Sequence, residues 1–129
     1  RLDINGFWRH AYAHADDDLP ATMAVIDNRH GSEPSNATID GPLVRYRKPR
    51  GEVGASAGAT HIDYGISVLS SSLLDVDGPA QGDLAHMMET WSKAGRVAAH
   101  ETNRPYDEVG TPEGVACLEA ALLAPGRPG

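Results

Sequence analysis

Four short stretches of the chain carry side chains able to do chemistry. The first is YDEVG, residues 106–110, where Asp107 and Glu108 close a strand just before Gly110. Neighbouring strand residues point to opposite faces, so one of the two carboxylates must point toward the ligand edge of a sheet. A carboxylate at a strand end, beside a glycine that lets backbone approach a ligand, suits Mg²⁺, which takes hard oxygen donors and substrate phosphates. Spacing alone does not say which of the pair it would be. The second is HIDYG, 61–65: Asp63 interrupts an otherwise apolar strand. A charge there is costly unless paired, hydrated or functional, and a glycine in a strand marks close approach of a ligand or another backbone. The third is RYRKPRG, 45–51, the basic cluster of the chain. Lys48 leaves an extended segment before Pro49 and is a point-charge partner for a phosphate. The fourth is the pair His10 and His14, whose spacing can hold a metal. No Glu follows His10 and no third ligand is evident, so a packed or solvated helix face is the expectation.

Each has a plainer structural alternative. Asp63 fits a solvated sheet edge, and Lys48 fits a hairpin edge guarded against pairing. Thr111, Pro112 and Glu113 make a well-formed helix start whatever lies nearby. Asp83 with His86, and Cys117, fit capping and core. GASAGA, 54–59, is glycine-rich but lacks the phosphate-loop pattern.

These residues need elements to hold them. Asp3 or Asn5 can cap a helix through FWRHAYAHA, with Phe7, Ala11 and His14 on one face and Trp8 and Tyr12 beside it. ATMAVID, 21–27, reads as a buried strand. SNATIDGPLVRYRK reads as a hairpin with strands 35–39 and 43–47 about Asp40-Gly41, its turn type left open by Pro42. Residues 49–60 read as a loop, HIDYGISVLS, 61–70, as a strand, and SSLLDV as a short helical turn. A helix from Asp83 to Lys93 puts Leu84, Met87, Met88 and Trp91 on one face, with Gly95 closing it. VAAHETN, 97–103, is a strand, and another strand and a helix after Thr111 follow. Helices mixed with strands in this order predict an α/β fold: a mixed sheet with flanking helices and its ligand at the strand carboxyl ends. Residues 1–123 form one domain and 124–129 a loose tail on this reading.

The bulk composition narrows the partners. A formal net charge of −7 argues against nucleic acid or an anionic membrane surface, while leaving a small anionic ligand to the cluster around Lys48. A single cysteine fits a reducing, cytoplasmic compartment. The chain enters patterned sequence almost at Arg1, which leads us to expect further sequence upstream.

The series SNATIDG, VRYRKP, HIDYGISVL and GDLAHMMETWSKAGRVAAHETNRPYDEVGTPEG, in this order and spacing, resembles the sugar-phosphate nucleotidyltransferases. It is most similar to the branch that activates heptose or mannose 1-phosphates, over roughly residues 2–122. The resemblance implies a partial Rossmann-like nucleotide-diphospho-sugar transferase fold. It implies that a sugar 1-phosphate attacks the α-phosphorus of a nucleoside triphosphate and releases pyrophosphate in nucleotide-sugar biosynthesis, with Mg²⁺ offsetting the charge. Carried over, Glu108 falls at the family's second metal carboxylate and Lys48 at its sugar-phosphate lysine. Asp63, Tyr64 and Gly65 line the sugar pocket, and Asn36 approaches the sugar. Arg47 departs from the pattern, standing where relatives usually carry an acid. The family's glycine-rich triphosphate loop and first metal aspartate are not among these residues, so the resemblance covers the C-terminal, sugar-binding half. A non-catalytic sugar-phosphate-binding or regulatory module is the alternative, and self-association through an open sheet edge is expected on either reading.

Overall fold

The structure, a computed structural model, describes residues 2–15, 19–29, 34–48, 58–73, 82–103 and 112–123. Helix α1 (Ile4–Ala15) leads into β1 (Ala21–Asp27), then the hairpin β2 (Ala37–Asp40) and β3 (Leu43–Tyr46), then β4 (His61–Leu69). A single 3-10 turn, Ser71–Leu73, precedes α2 (Leu84–Lys93), β5 (Val97–Thr102) and α3 (Pro112–Leu123).

Local chemistry explains these elements. Asp3 caps α1, accepting from Gly6 N at 3.0 Å while its carbonyl accepts from Phe7 N at 2.9 Å. Asp83 caps α2 through Ala85 N at 2.9 Å. The same helix ends in a Schellman motif: Gly95 N donates to Ser92 O and Arg96 N to Trp91 O. The hairpin turn is Gly41-Pro42, with Gly41 at φ +58°, the first-position geometry of a type II′ turn.

The expected open mixed sheet of a partial Rossmann-like fold does not form. The strands close into a five-stranded barrel in the order β1-β4-β2-β3-β5. β1 runs antiparallel to β4 and parallel to β5. The hairpin supplies closure: Ala37 registers with His61 of β4, and Leu43 with Ala98 of β5. Flanking bonds strengthen both seams, Asn36 N to His61 O at 3.0 Å and Ala99 N to Pro42 O at 2.9 Å. Two four-residue strands can thus bridge edges that a reading by element order leaves open. Closure pairs those edges, so the exposed edge that suggested self-association is covered among the described strands.

All five strands feed one apolar cluster. Ala21, Met23 and Val25 of β1 meet Ala37, Val44, Tyr46, Val97 and Ala99, with Leu69 packed against them and Leu73 and Met88 completing the cluster. The narrow interior is filled mostly by Ala, Val, Leu and Met, with Tyr46 as its one buried ring among the described residues. The other face of β1 is covered by α1, where Leu2 and Phe7 enclose Ala24. Buried on both faces, β1 reads as a continuous apolar run rather than an alternating one. On α2 the packed face holds Ala85, Met88 and Trp91, whereas Leu84, expected on that face, is exposed. Cys117, expected in the core, is exposed on α3, and no residue of α3 is buried.

Candidate functional site

Asn36, just before β2, and Asp63, inside β4, are 27 residues apart and meet directly. Asn36 Oδ1 accepts a hydrogen bond from Asp63 N at 2.9 Å. Its backbone N–H donates to His61 O, and its carbonyl accepts from Arg47 N at 2.8 Å. Asn36 therefore fastens the entry of β2, the exit of β3 and the wall of β4. Because Asp63 N is a donor, the Asn36 amide orientation is fixed, and its Nδ2 keeps its protons for another acceptor.

Asp63 stands opposite Val25 in the antiparallel register, so its carboxylate lies on the core-facing side of the wall. Burial raises its carboxyl pKa above the usual carboxylate value, and a hydrogen bond from Gly65 N to Oδ1 at 2.8 Å opposes that rise. Gly65 sits where the register slips: Ala24 alone faces Tyr64, Gly65 and Ile66. The extra residues are accommodated with Gly65 at φ +81°, which an L side chain would strain. Gly65 is thus the hinge of a bulge that aims Asp63. Tyr64 turns the other way and packs against the Leu2–Phe7–Ala24 cluster under α1.

Beside Asn36 a cavity of about 240 Å³ is lined by Thr38, Arg45, Tyr46, Arg47 and Lys93. Two of its cations are engaged. Arg45 donates to Lys93 O at 3.1 Å and lies 4.0 Å from Asp40, and Lys93 pairs with Glu89 at 2.7 Å. The Arg47 guanidinium has no hydrogen bond or ion pair with the described residues, and it is the group this cavity offers an anion. At its back, Ser92 is wholly buried and fastens α2 to β3: its Oγ accepts from Tyr46 N at 3.1 Å. Burial first, then the charges of Asp63, Asp83 and Glu89, push the Tyr46 phenol up to about 12, so it is a neutral wall at physiological pH.

Lys48 is placed differently from the pocket residues. It forms an ion pair with Asp83, the carboxylate that caps α2, and that contact holds the Asp83 carboxyl below its usual range. Lys48, expected to act on the sugar phosphate, is here part of a helix start. Asp107, Glu108, Gly110 and Thr111 lie outside the described residues. Among the described residues, no cluster of three or more His, Cys, Asp or Glu could hold a metal ion, and Glu108, the Mg²⁺ candidate, lies outside them.

Arg47 belongs to the basic cluster that the sequence offers a small anion, although it departs from the pattern of the resemblance. One feature escapes the sequence reading. His100 on β5 joins His10 and His14, and its signal was the alternation of VAAHET, which puts it on the face opposite Val97 and Ala99.

No protein-family model and no curated protein matches the chain. Among the described residues, no helix is long and apolar enough to cross a membrane.

Proposed function

We propose that this chain binds a sugar 1-phosphate on the barrel wall between β2, β3 and β4, as the sugar-binding part of a sugar-1-phosphate nucleotidyltransferase. The observation that supports this most is the bond from Asp63 N to Asn36 Oδ1, which joins two residues, 27 positions apart, that the resemblance puts beside the sugar. In this reading Asp63 serves the site through its N–H, which aims Asn36, while its carboxylate stays on the core-facing side, outside the cavity lining. Arg47 and the Asn36 amide donate to the phosphate, a charge-assisted arrangement for which a planar guanidinium is well suited. Lys48 joins the phosphate only by exchanging its Asp83 partner for it. Mg²⁺, when bound, would offset charge on the phosphates, with Glu108 as its carboxylate. The glycine-rich triphosphate loop of the family is not among these residues, so the chain by itself binds and does not turn over.

Titration calorimetry of the full chain with mannose 1-phosphate, mannose and inorganic phosphate tests the reading. The sugar phosphate should bind more tightly than either part, and Arg47→Ala should weaken it about tenfold, or about 1.4 kcal/mol. Equal affinity for inorganic phosphate would remove the sugar from the proposal, and no heat with any of the three would end it.

One observation favours the second reading, a non-catalytic sugar-phosphate-binding module. Open α/β sheets bind ligands in a crevice at a topological switch point, and a closed barrel offers none. Pyrophosphate release by this chain alone from a nucleoside triphosphate, Mg²⁺ and mannose 1-phosphate would contradict both readings, since neither gives it turnover by itself.

A further inference from the structure

Three imidazoles meet where α1 packs on β5. His10 and His14, one turn apart on α1, have ring centroids 4.7 Å apart. His100 reaches them from β5, its ring 5.0 Å from that of His10 and 5.1 Å from that of Phe7. The rings meet tilted or edge to face, as packed aromatic rings do.

The protonation state of this contact is constrained. His10 Nε2 is buried and has no hydrogen-bond partner among the described residues. With no acceptor at Nε2 among the described residues, the neutral ring carries its proton on Nδ1, and the Ala99 backbone only weakly opposes loss of charge. A second proton, on Nε2, would be a buried donor with nothing to donate to. The surroundings offer little compensation. From α1 the cluster is faced by His14 and by Asp3, and from β5 by His100. The β1 and β4 residues packed here are Ala24, Tyr64 and Val68, none of them acidic. Among the described residues, Asp3 is the carboxylate whose charge favours a protonated His100, and its Oδ1 is engaged by Gly6 N.

We propose that His10 and His100, packed together beside the His14 ring, form a proton-operated latch: as neutral rings they hold α1 on the barrel, and protonation releases the helix. Release would uncover Leu2, Phe7 and Ala24, the apolar cluster beneath α1. The latch is independent of the sugar-phosphate reading, since it uses the opposite face of β1.

The sign follows from the burial of the rings. Burial, then the charges of His14 and His100, hold His10 below its ordinary value of 6.5, against the Ala99 bond, and burial holds His100 below it against Asp3. A histidine that takes its proton less readily folded than unfolded costs nothing above 6.5. It destabilises the docked helix increasingly as pH falls below that value.

Backbone amide exchange of the full chain, corrected for intrinsic rates, is the test. Between about pH 7.5 and about pH 5.5, protection of residues 4–15 should fall about tenfold or more while that of β1 and β5 is retained. In wild-type chain, which avoids any folding defect of a variant, proton NMR should show His10 and His100 titrating below 6.5. His100→Gln should flatten the pH dependence of α1 protection if it folds. Equal protection of α1 at both pH values, or titration of His10 and His100 at or above 6.5, would overturn the latch.

Discussion

The two faces of the barrel wall hold ionisable groups in opposite circumstances. On the core-facing side of β4, Asp63 is half-buried, yet its surroundings are furnished with bonds: Asn36 takes its N–H and Gly65 supplies a donor to its carboxylate. Under α1, His10 is half-buried with one nitrogen left without a partner among the described residues. Burial drives both groups toward their neutral forms, but the neutral form is protonated for an acid and deprotonated for an imidazole. The pH responses are therefore opposite. Asp63, raised above its ordinary 3.8, binds a proton more readily folded than unfolded, so its contribution to stability improves as pH falls through its folded value toward 3.8. The histidine face loses stability as pH falls below 6.5. One wall thus carries a wired site suited to holding a ligand and a sparsely bonded contact suited to letting go.

The largest effect that would sharpen this contrast is Asn36→Ala. It leaves Asp63 N–H without its acceptor, and denaturant unfolding should show a loss of about 1–3 kcal/mol together with loss of sugar-phosphate binding. Unchanged stability would mean that Asn36 does not organise the wall. Gly65→Ala comes next. A side chain at φ +81° meets open space, so the cost is backbone strain alone, about 1–2 kcal/mol, with the Asp63 carboxylate displaced. Asp63→Asn keeps the acceptor for Gly65 N but removes the buried charge. Thermal melts should then lose the gain in stability on acidification toward 3.8 and run slightly higher near neutrality, with sugar-phosphate binding retained because the N–H to Asn36 remains. A variant that melts lower at neutral pH would show that the carboxylate is a structural necessity. The smallest effect is that of Lys48→Ala. Its pair with Asp83 lies at the surface, and melting should barely move. If sugar-phosphate affinity nevertheless falls, Lys48 does exchange partners on binding.

Element by element, much of this was legible. The 3.6-residue pattern of FWRHAYAHA, the cap at Asp83 and the β-branched run of HIDYGISVL each carry a local cause, and each forms where that cause places it. What local pattern cannot encode is which edges meet. The barrel hangs on two single register pairs, Ala37 with His61 and Leu43 with Ala98, between residues with no distinguishing side chain. An open sheet and a closed one therefore look alike in sequence. The site was legible to a similar depth. Asp63 was conspicuous as a charge in an apolar strand, but its partner Asn36 is 27 residues away and its aim depends on a bulge. Gly65 was read as a ligand contact because a glycine in a strand signals close approach and register slip equally. Tyr64, its neighbour, faces the other side for the same alternating reason that brings His100 to α1.

The central claim is that Asn36 and Arg47, with Asn36 held by the Asp63 N–H, form one ligand site, and the most direct test is a backbone amide chemical-shift map of the full chain titrated with mannose 1-phosphate. The account predicts saturable shifts concentrated at residues 36–38, 45–47 and 63–65, with α1 unaffected. Shifts confined to α1 and β5, or none across the barrel wall, would contradict it.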